Sequence, residues 1–322
     1  MGKRIEGRVD VSCEYGFLED INKIIPNFAS YDLLSENDEW KYFMIVKELF
    51  EKKSNLYIDF DPWDKIEDDQ FVRFLQKSGA VNFIKMPEKD KLDTYTSLIS
   101  FVKEDPLKTS YPGVPVTVDI TNWIKHIKPL SEEIFFKVHP SRLINDFLGW
   151  SFIGNLKIPV NAAIIIDRYA FKYDNVIKKN LTEILKHLIP EELEGDFDLC
   201  LITDEEESMD FKKLKSLVTK EFKNLHKKCS LNLSIFTLFR NISTHDRKII
   251  TNYYIISSGN SFDYYFNDNI TVDTSLTLTP LLYRNDLLKE LELIRFICNK
   301  YQPKIASQNR ILGIGKKENS NK

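Results

Sequence analysis

The amino-acid sequence predicts an α/β protein, a mixed sheet with helices on both faces. Two features favour this class: the apolar run "NAAIIID" is typical of a buried strand, and "FKKLKSLVTKEFKNL" is an amphipathic helical pattern. Such segments alternate along the second half of the chain. With 322 residues, 43% of them hydrophobic, the chain is long enough for two domains. We place an N-terminal α/β domain at residues 1–155, a second domain at 156–301 and a mobile tail at 302–322.

The N-terminal half mixes helical and strand patterns. Ser35 and Asn37 are capping-type residues ahead of an apolar helical stripe, and Gly79 closes a second, shorter helical pattern. These patterns predict a helix at 35–53, followed by a β-α-β unit that consists of a strand at 54–60, a helix at 68–79 and a strand at 80–86. Further along, the β-branched stretch 114–124 predicts a strand, and the pattern of 131–155 is helical.

The second half has clearer patterns. Strands are predicted at 160–171, 196–203 and 231–239, with helices at 175–190, ended by Pro190, and at 209–229. The stretch 248–257 predicts either one long strand or a tight hairpin, and 286–301 a final amphipathic helix. The helix at 209–229 also carries a basic face of lysines opposite its apolar stripe, which is typical of a surface that binds a phosphate backbone or anionic lipid.

Composition excludes several classes of function. The 45 basic and 48 acidic residues give a net charge of -3, so no general attraction to nucleic acid or anionic lipid is expected. The four cysteines lack metal-ligand spacing, and the acidic stretch from Asp59 to Asp69 lacks the order of a calcium-binding loop. We therefore expect no metal and no cofactor. The spacing of the cysteines also argues against a disulfide framework, so reduced thiols in a cytoplasmic protein are expected. No apolar run reaches the length of a membrane span, so any contact with a membrane is expected at its surface.

The segment from Thr244 to Phe266, "THDRKIITNYYIISSGNSFDYYF", has the densest set of candidate site residues. Its skeleton is H-x-R-x4-N-x6-G-N-S, formed by His245, Arg247, Asn252 and Gly259–Ser261. On an extended strand, His245 and Arg247 point to the same side and can contact one phosphate together. A structural interpretation is also open, in which His245, Asp246 and Arg247 cap a strand through hydrogen bonds.

This skeleton resembles the signature of the phospholipase D superfamily, His-x-Lys, four residues, Asp, six residues, then Gly and small polar residues. Here Arg replaces Lys and Asn replaces Asp. The resemblance implies a nucleophilic His245, with Arg247 and Asn252 as its catalytic partners and Arg247, Gly259, Asn260 and Ser261 as phosphate-binding residues. Asn252 would hold the histidine ring but could not stabilise its charged form. For a second histidine, the triplets at His126 and His226 are weak candidates.

The segment "HDRKI…YYIISSGNSFDYYF" is also similar to the C-terminal, phospholipase D-like domain of MIT-domain proteins. The residues that carry this likeness are His245, Asp246, Arg247, Gly259, Asp263 and Phe266, and it would extend over about residues 160–301. The resemblance implies a non-catalytic homodimer that acts at membrane surfaces or on protein partners.

These observations predict a binding or effector module on a degenerate phospholipase D-like fold, which recognises a phosphate-bearing ligand, nucleic acid or anionic lipid, or a protein partner, the latter through the N-terminal domain. A metal-independent phosphodiesterase, nuclease or phospholipase, with His245 as nucleophile in a dimer, is the alternative. A third alternative is a structural subunit of a larger complex. Two-domain proteins of this kind are associated with bacterial defence.

Overall fold

A computed structural model gives the fold of most of the second half of the chain and of parts of the first. It describes residues 10–14, 16–17, 19–20, 56–59, 83–85, 98–103, 113–171, 173–191, 193, 195–204, 210–238, 247–266, 269–280, 291–292, 294–296 and 304–305. The chain divides into two compact units, Arg8–Glu132 and Met1–Gly7 with Glu133–Lys322. The predicted helices at 35–53 and 68–79 lie outside the described residues, as do most of the acidic stretch and of the tail at 302–322.

The unit Arg8–Glu132 contains a five-stranded sheet in which all neighbouring strands are parallel. Its strand order is β3-β2-β1-β4-β5, a doubly wound arrangement. The strands are β1 (Asp10–Glu14), β2 (Leu56–Asp59), β3 (Phe83–Lys85), β4 (Leu98–Phe101) and β5 (Val114–Val116), followed by the helix α1 (Ile120–Ser131). The predicted strands at 54–60 and 80–86 are confirmed by β2 and β3. Within 114–124 the strand is shorter than predicted, because Asp119 caps α1 by accepting the Thr121 N–H.

The unit containing Glu133–Lys322 is built on a seven-stranded mixed sheet in the order β6-β14-β11-β10-β7-β8-β9. Strands β7, β8 and β9 are parallel, and β6, β14, β11 and β10 add antiparallel neighbours. The strand bounds are β6 (Ile134–Val138), β7 (Ala162–Ile166), β8 (Gly195–Asp204), β9 (Cys229–Leu238), β10 (Arg247–Thr251), β11 (Tyr254–Ser258), β12 (Tyr265–Phe266), β13 (Asn269–Ile270) and β14 (Thr274–Pro280). Strands β12 and β13 form a separate pair.

Three helical segments with defined bounds accompany this sheet, and the described residues 291–292 and 294–296 are also helical. The three segments are α2 (Ser151–Asn155), α3, which consists of Asp174–Val176, the π-helical Ile177–Leu181 and Thr182–Leu188, and α4 (Phe211–Leu225). Asp210 caps α4 by accepting the backbone N–H groups of Lys212 and Lys213. No described helix is long and apolar enough to cross a membrane.

Helical residues cover both faces of the sheet, which confirms the predicted fold class. On one face, alternate side chains of β7, β8, β10 and β11 form a core cluster with Leu291 and Ile294, which are in helical conformation. On the other face, Phe222 of α4 packs against Phe197 of β8, with ring centroids 6.4 Å apart. Every side chain of β7 is buried, as expected for a strand covered on both sides.

The stretch 131–155 differs from its helical pattern. Ile134–Val138 is an edge strand of the second unit, paired with β14, and only Ser151–Asn155 is helical. The chain divides at Glu132 and Glu133, whereas the sequence pattern placed the boundary near residue 155. The reason is tertiary, because β6 obtains its backbone hydrogen bonds from a strand far along the chain.

Candidate functional site

One edge of the seven-stranded sheet collects the polar residues of this unit. The parallel strands β7 and β8 end there, and the antiparallel pairing brings the start of β10 and the end of β11 to the same edge. We call this region the site edge and define it by Asp167, Arg168, Asp204, Arg247 and Ser258–Ser261. In open α/β sheets the carboxyl ends of the strands are the usual place for a ligand.

Arg247 and the turn after β11 are brought together by strand pairing. Arg247 is the first residue of β10 and lies opposite Ser258, the last residue of β11. Because side chains alternate along a strand, Arg247 faces the α4 side of the sheet while Lys248 faces the opposite side. The structure therefore places Arg247 beside Gly259, Asn260 and Ser261, as the spacing of the motif indicates.

The turn Ser258–Ser261 is held by its own hydrogen bonds. The Ser258 hydroxyl donates to the Asn260 carbonyl oxygen at 2.6 Å and accepts the Asn260 N–H at 3.2 Å, and it also accepts the Tyr264 hydroxyl at 2.6 Å. Gly259 lies against β14, where an added Cβ would be 2.8 Å from Oγ1 of Thr274. The turn is thus a fixed polar surface next to Arg247.

Asp167, at the end of β7, fastens this turn to the sheet. Its Oδ1 accepts the Ser261 hydroxyl at 2.6 Å and the N–H groups of Tyr169 and Ala170 at 2.7 and 2.9 Å, and its Oδ2 accepts the Phe262 N–H at 2.7 Å. Burial raises the pKa of the Asp167 carboxyl, and these four donors oppose that rise. The four hydrogen bonds favour a positioning role for Asp167 over a catalytic one.

Arg168 supplies a second guanidinium group to the site edge. Its Nε lies 3.0 Å from Oδ2 of Asp204, the last residue of β8, and its Cζ lies 5.2 Å from the ring centroid of Tyr169. The Arg168 side chain is 48% exposed, and its charge is balanced by the Asp204 carboxylate. Sequence reasoning missed Asp167, Arg168 and Asp204, although a polar residue directly after a buried strand is a usable signal.

Asn252 lies at the other end of the hairpin. It follows β10, so five residue steps of about 3.3 Å separate its Cα from that of Arg247. Asn252 is fully buried, and its Oδ1 accepts the Asn161 N–H at 3.2 Å. One phosphate cannot contact both Arg247 and Asn252, and Asn252 has a structural role at the opposite edge of the sheet.

The histidines are distributed differently from the sequence expectations. His245 lies outside the described residues, two positions before Arg247 in the sequence. His126 is buried in α1 of the unit Arg8–Glu132. His226 is buried directly after α4 and ahead of the start of β9, whereas the site edge lies at the ends of β7 and β8. Within its own unit, His226 therefore lies at the opposite end of the strands from the site edge.

A further histidine, His139, lies after β6 and was not considered from the sequence. Its Nε2 is 4.0 Å from Oδ2 of Asp273, and Asp273 also pairs with Lys137. The hydrogen bond from Lys137 lowers the pKa of Asp273. The Asn260 side chain donates to the Asp273 carbonyl oxygen at 3.3 Å. This cluster extends the polar surface of the site edge towards β6.

The chemistry of the site edge suits an anion. Arg247 lies beside a turn that carries serine and asparagine side chains, and guanidinium groups bind phosphate oxygens through paired N–H donors. In the part of the chain that the structure describes, no three His, Cys, Asp or Glu side chains come together as a metal site would need.

Comparison with known proteins adds little to this description. No protein-family model matches the chain, and no curated protein is significantly similar to it. Among solved structures, the chain is similar to polyphosphate kinase from Porphyromonas gingivalis at 9% sequence identity and a TM-score of 0.32. The match covers 55% of this chain and 27% of that chain, so the chain spans about a quarter of that protein's length. A likeness at this level carries no argument about function. The fold and the site define a mixed α/β protein whose sheet carries arginine, aspartate and hydroxyl side chains at one edge.

Proposed function

We propose that the unit containing Glu133–Lys322 binds a phosphate-bearing ligand at the site edge and acts as a binding or effector module. The observation that carries the proposal is the pairing of Arg247 with Ser258, which sets a cation beside a turn of fixed polar groups. Arg168 adds a second, half-exposed cation at the end of β7.

We further propose that this unit has a degenerate phospholipase D-like fold. In support, the motif spacing corresponds to the β10–β11 hairpin: four residues separate Arg247 from Asn252 across β10, and six more lead back to Gly259 along β11. The finer likeness to the C-terminal domain of MIT-domain proteins rests on residues that include His245 and Asp246, outside the described ranges. The homodimer, a protein partner for the N-terminal unit and a role in bacterial defence stay predictions.

A binding assay with a chromogenic phosphodiester tests the proposal. Isothermal titration of the full chain with bis(p-nitrophenyl) phosphate in EDTA measures affinity, and release of nitrophenol measures turnover. Arg247→Ala is expected to weaken binding about tenfold or more, because it removes a charge-assisted hydrogen bond. Lys248→Ala is the matched control, since Lys248 is the next residue on β10 but faces the opposite side of the sheet.

The outcomes separate the candidate functions. Binding that depends on Arg247 without turnover supports the module. Turnover that is lost in His245→Ala would make the protein a phosphodiesterase, and equal losses in the Arg247 and Lys248 variants would contradict a site at this edge. Light scattering of the same samples reports whether the protein is a dimer.

A further inference from the structure

A second basic surface lies along α4. A cavity of about 730 Å³ opens between this helix and the segment at Ile305. Seven of its lining residues come from α4: Lys212, Lys215, Ser216, Thr219, Lys220, Lys223 and Asn224. The other wall is Ile305, which is held against the edge strand β9 by the hydrogen bond from the Ile235 N–H to its carbonyl oxygen at 2.9 Å. We call this cavity the α4 groove.

Helical spacing arranges the basic groups of the groove in a row. Lys212, Thr219 and Lys223 are separated by seven and four residues, so they share one stripe of α4, with Lys215 and Lys220 on its two flanks. At about 1.5 Å per residue, the stripe spans about 16 Å. The apolar stripe of the helix is buried beneath it against the sheet. The lysines are therefore directed away from the core.

The positive charge of the groove is not neutralised by the surrounding described residues. No described carboxylate forms an ion pair with Lys212, Lys215, Lys220 or Lys223. In contrast, Lys213, on another side of the helix, pairs with Asp174 of α3 at 3.0 Å. Within α4 the acidic residue is Glu221, which does not line the groove. A neutral ligand would gain nothing from this row of ammonium groups.

We propose that the α4 groove binds the sugar-phosphate backbone of a nucleic acid. Four lysine ammonium groups along about 16 Å of helix, with the Ser216 and Thr219 hydroxyls between them, fit the phosphates of an extended chain. A membrane surface fits less well, because membrane-binding helices expose large apolar or aromatic side chains, and the apolar stripe of α4 is buried. Contacts of this kind go to phosphates rather than to base edges, so we expect binding that does not depend on base sequence.

The groove stands independently of the site edge, since it uses different residues on a different element. The two surfaces nevertheless belong to consecutive elements of the chain, β8 and α4. Strand β8 ends at Asp204 of the site edge and α4 starts after it at Phe211, so the Lys212 end of the groove is the end nearer the site edge in the chain. A nucleic-acid backbone bound in the groove therefore extends, at its Lys212 end, towards the site edge.

Fluorescence anisotropy of the full chain tests the proposal. The probes are a fluorescein-labelled DNA single strand of about 20 nucleotides and its duplex, titrated between about 50 and about 200 mM salt. Lys212→Glu with Lys223→Glu is expected to weaken binding about tenfold or more and to lower the salt-dependence slope by about 1.5, since two phosphate contacts are lost. Lys125→Glu with Lys178→Glu is the charge-matched control, because both residues are exposed and neither lines the groove. We expect this control to bind as the wild-type protein does.

Three results would contradict the proposal that the α4 groove binds nucleic acid. They are no binding of either DNA by the wild-type protein, equal losses in the two double variants, or binding of phosphatidylserine vesicles in place of DNA. Lys212→Gln with Lys223→Gln, verified by circular dichroism melting, separates loss of contact from loss of fold. Arg247→Ala is expected to keep DNA affinity within about twofold. If Arg247→Ala abolishes DNA binding and the lysine variants do not, DNA does not bind in the α4 groove, while the proposed phosphate binding at the site edge stands.

Discussion

The Ser261 hydroxyl donates a hydrogen bond of 2.6 Å to Oδ1 of Asp167, which joins the turn after β11 to the end of β7. These residues lie 94 positions apart in the sequence. The bond fixes the position of the turn relative to Arg247 and Arg168. Asp167 is therefore a positioning residue for the whole site edge.

Removal of this acceptor is expected to be costly. Asp167→Ala leaves the Phe262, Tyr169 and Ala170 N–H groups without their acceptor, and we expect the free energy of unfolding to fall by about 3 kcal/mol or more. Ser261→Ala should cost about 1.5–3 kcal/mol. Urea denaturation measures both, with the more exposed Asp263→Ala as control. A smaller loss for Asp167→Ala than for Asp263→Ala would contradict this role.

Gly259 is expected to be required for steric reasons. A Cβ there would lie 2.8 Å from Thr274 Oγ1, so Gly259→Ala should lower the free energy of unfolding by about 1–3 kcal/mol. Thr274→Ala removes the clashing oxygen, and the double variant should recover part of the loss, whereas Thr274→Ser keeps the oxygen and should not. Additive costs in the Gly259→Ala and Thr274→Ala cycle would show that the two residues do not interact.

Asn252 should affect stability without affecting ligand affinity. Its buried side chain accepts the Asn161 N–H at the far end of the hairpin, so Asn252→Ala is expected to cost about 1–3 kcal/mol of unfolding free energy. Phosphodiester affinity, measured below the melting temperature, should stay near that of the wild-type protein. A loss of phosphodiester affinity with unchanged stability would show that Asn252 is a binding residue.

Stability should fall as the pH is lowered below neutrality, in part because of His226. Burial lowers the pKa of His226 from its ordinary 6.5, against the opposing hydrogen bond to the Leu185 backbone and the charge of Glu191. A depressed pKa in the folded state means that stability is full above about pH 6.5 and is lost as the pH falls through the folded value. Melting temperatures between pH 5 and pH 7.5 should therefore show a weaker pH dependence in His226→Gln than in the wild-type protein, with Lys227→Gln as control. Burial also lowers the pKa of His187, so His187 keeps part of the pH dependence of stability in this variant. An unchanged pH profile in His226→Gln would refute the assignment.

The parts of the fold that local patterns determine were predictable from the sequence. The apolar run of β7 and the amphipathic α4 are confirmed, with Leu214, Val218 and Phe222 buried. The stretch 248–257 proved to be the hairpin of β10 and β11. Strand β14 was missed, although "TSLTLTP" alternates with a period of two.

The missed parts depend on long-range pairing. The pattern of residues 131–155 predicts a helix because the two adjacent phenylalanines of β6 hide the alternation. In the structure Phe135 is exposed and Phe136 is half-buried. At the site edge, the spacing of the motif indicated Arg247 and the Gly259–Ser261 turn. Asp167, Arg168 and Asp204 could not be grouped with them, because they join the site through the order of strands in the sheet.

Strand β6 is synthesised long before β14, the strand with which it pairs at the sheet edge. Lys137 of β6 pairs with Asp273, beside the start of β14, and the two residues are 136 positions apart. At translation rates of about 5–20 residues per second, β6 waits on the order of ten seconds for its partner strand to be synthesised. During that interval β6, including Phe135, lacks its β14 partner. Its unpaired backbone groups can then pair with a strand of another chain. The growing polypeptide is therefore most exposed to aggregation before β14 leaves the exit tunnel.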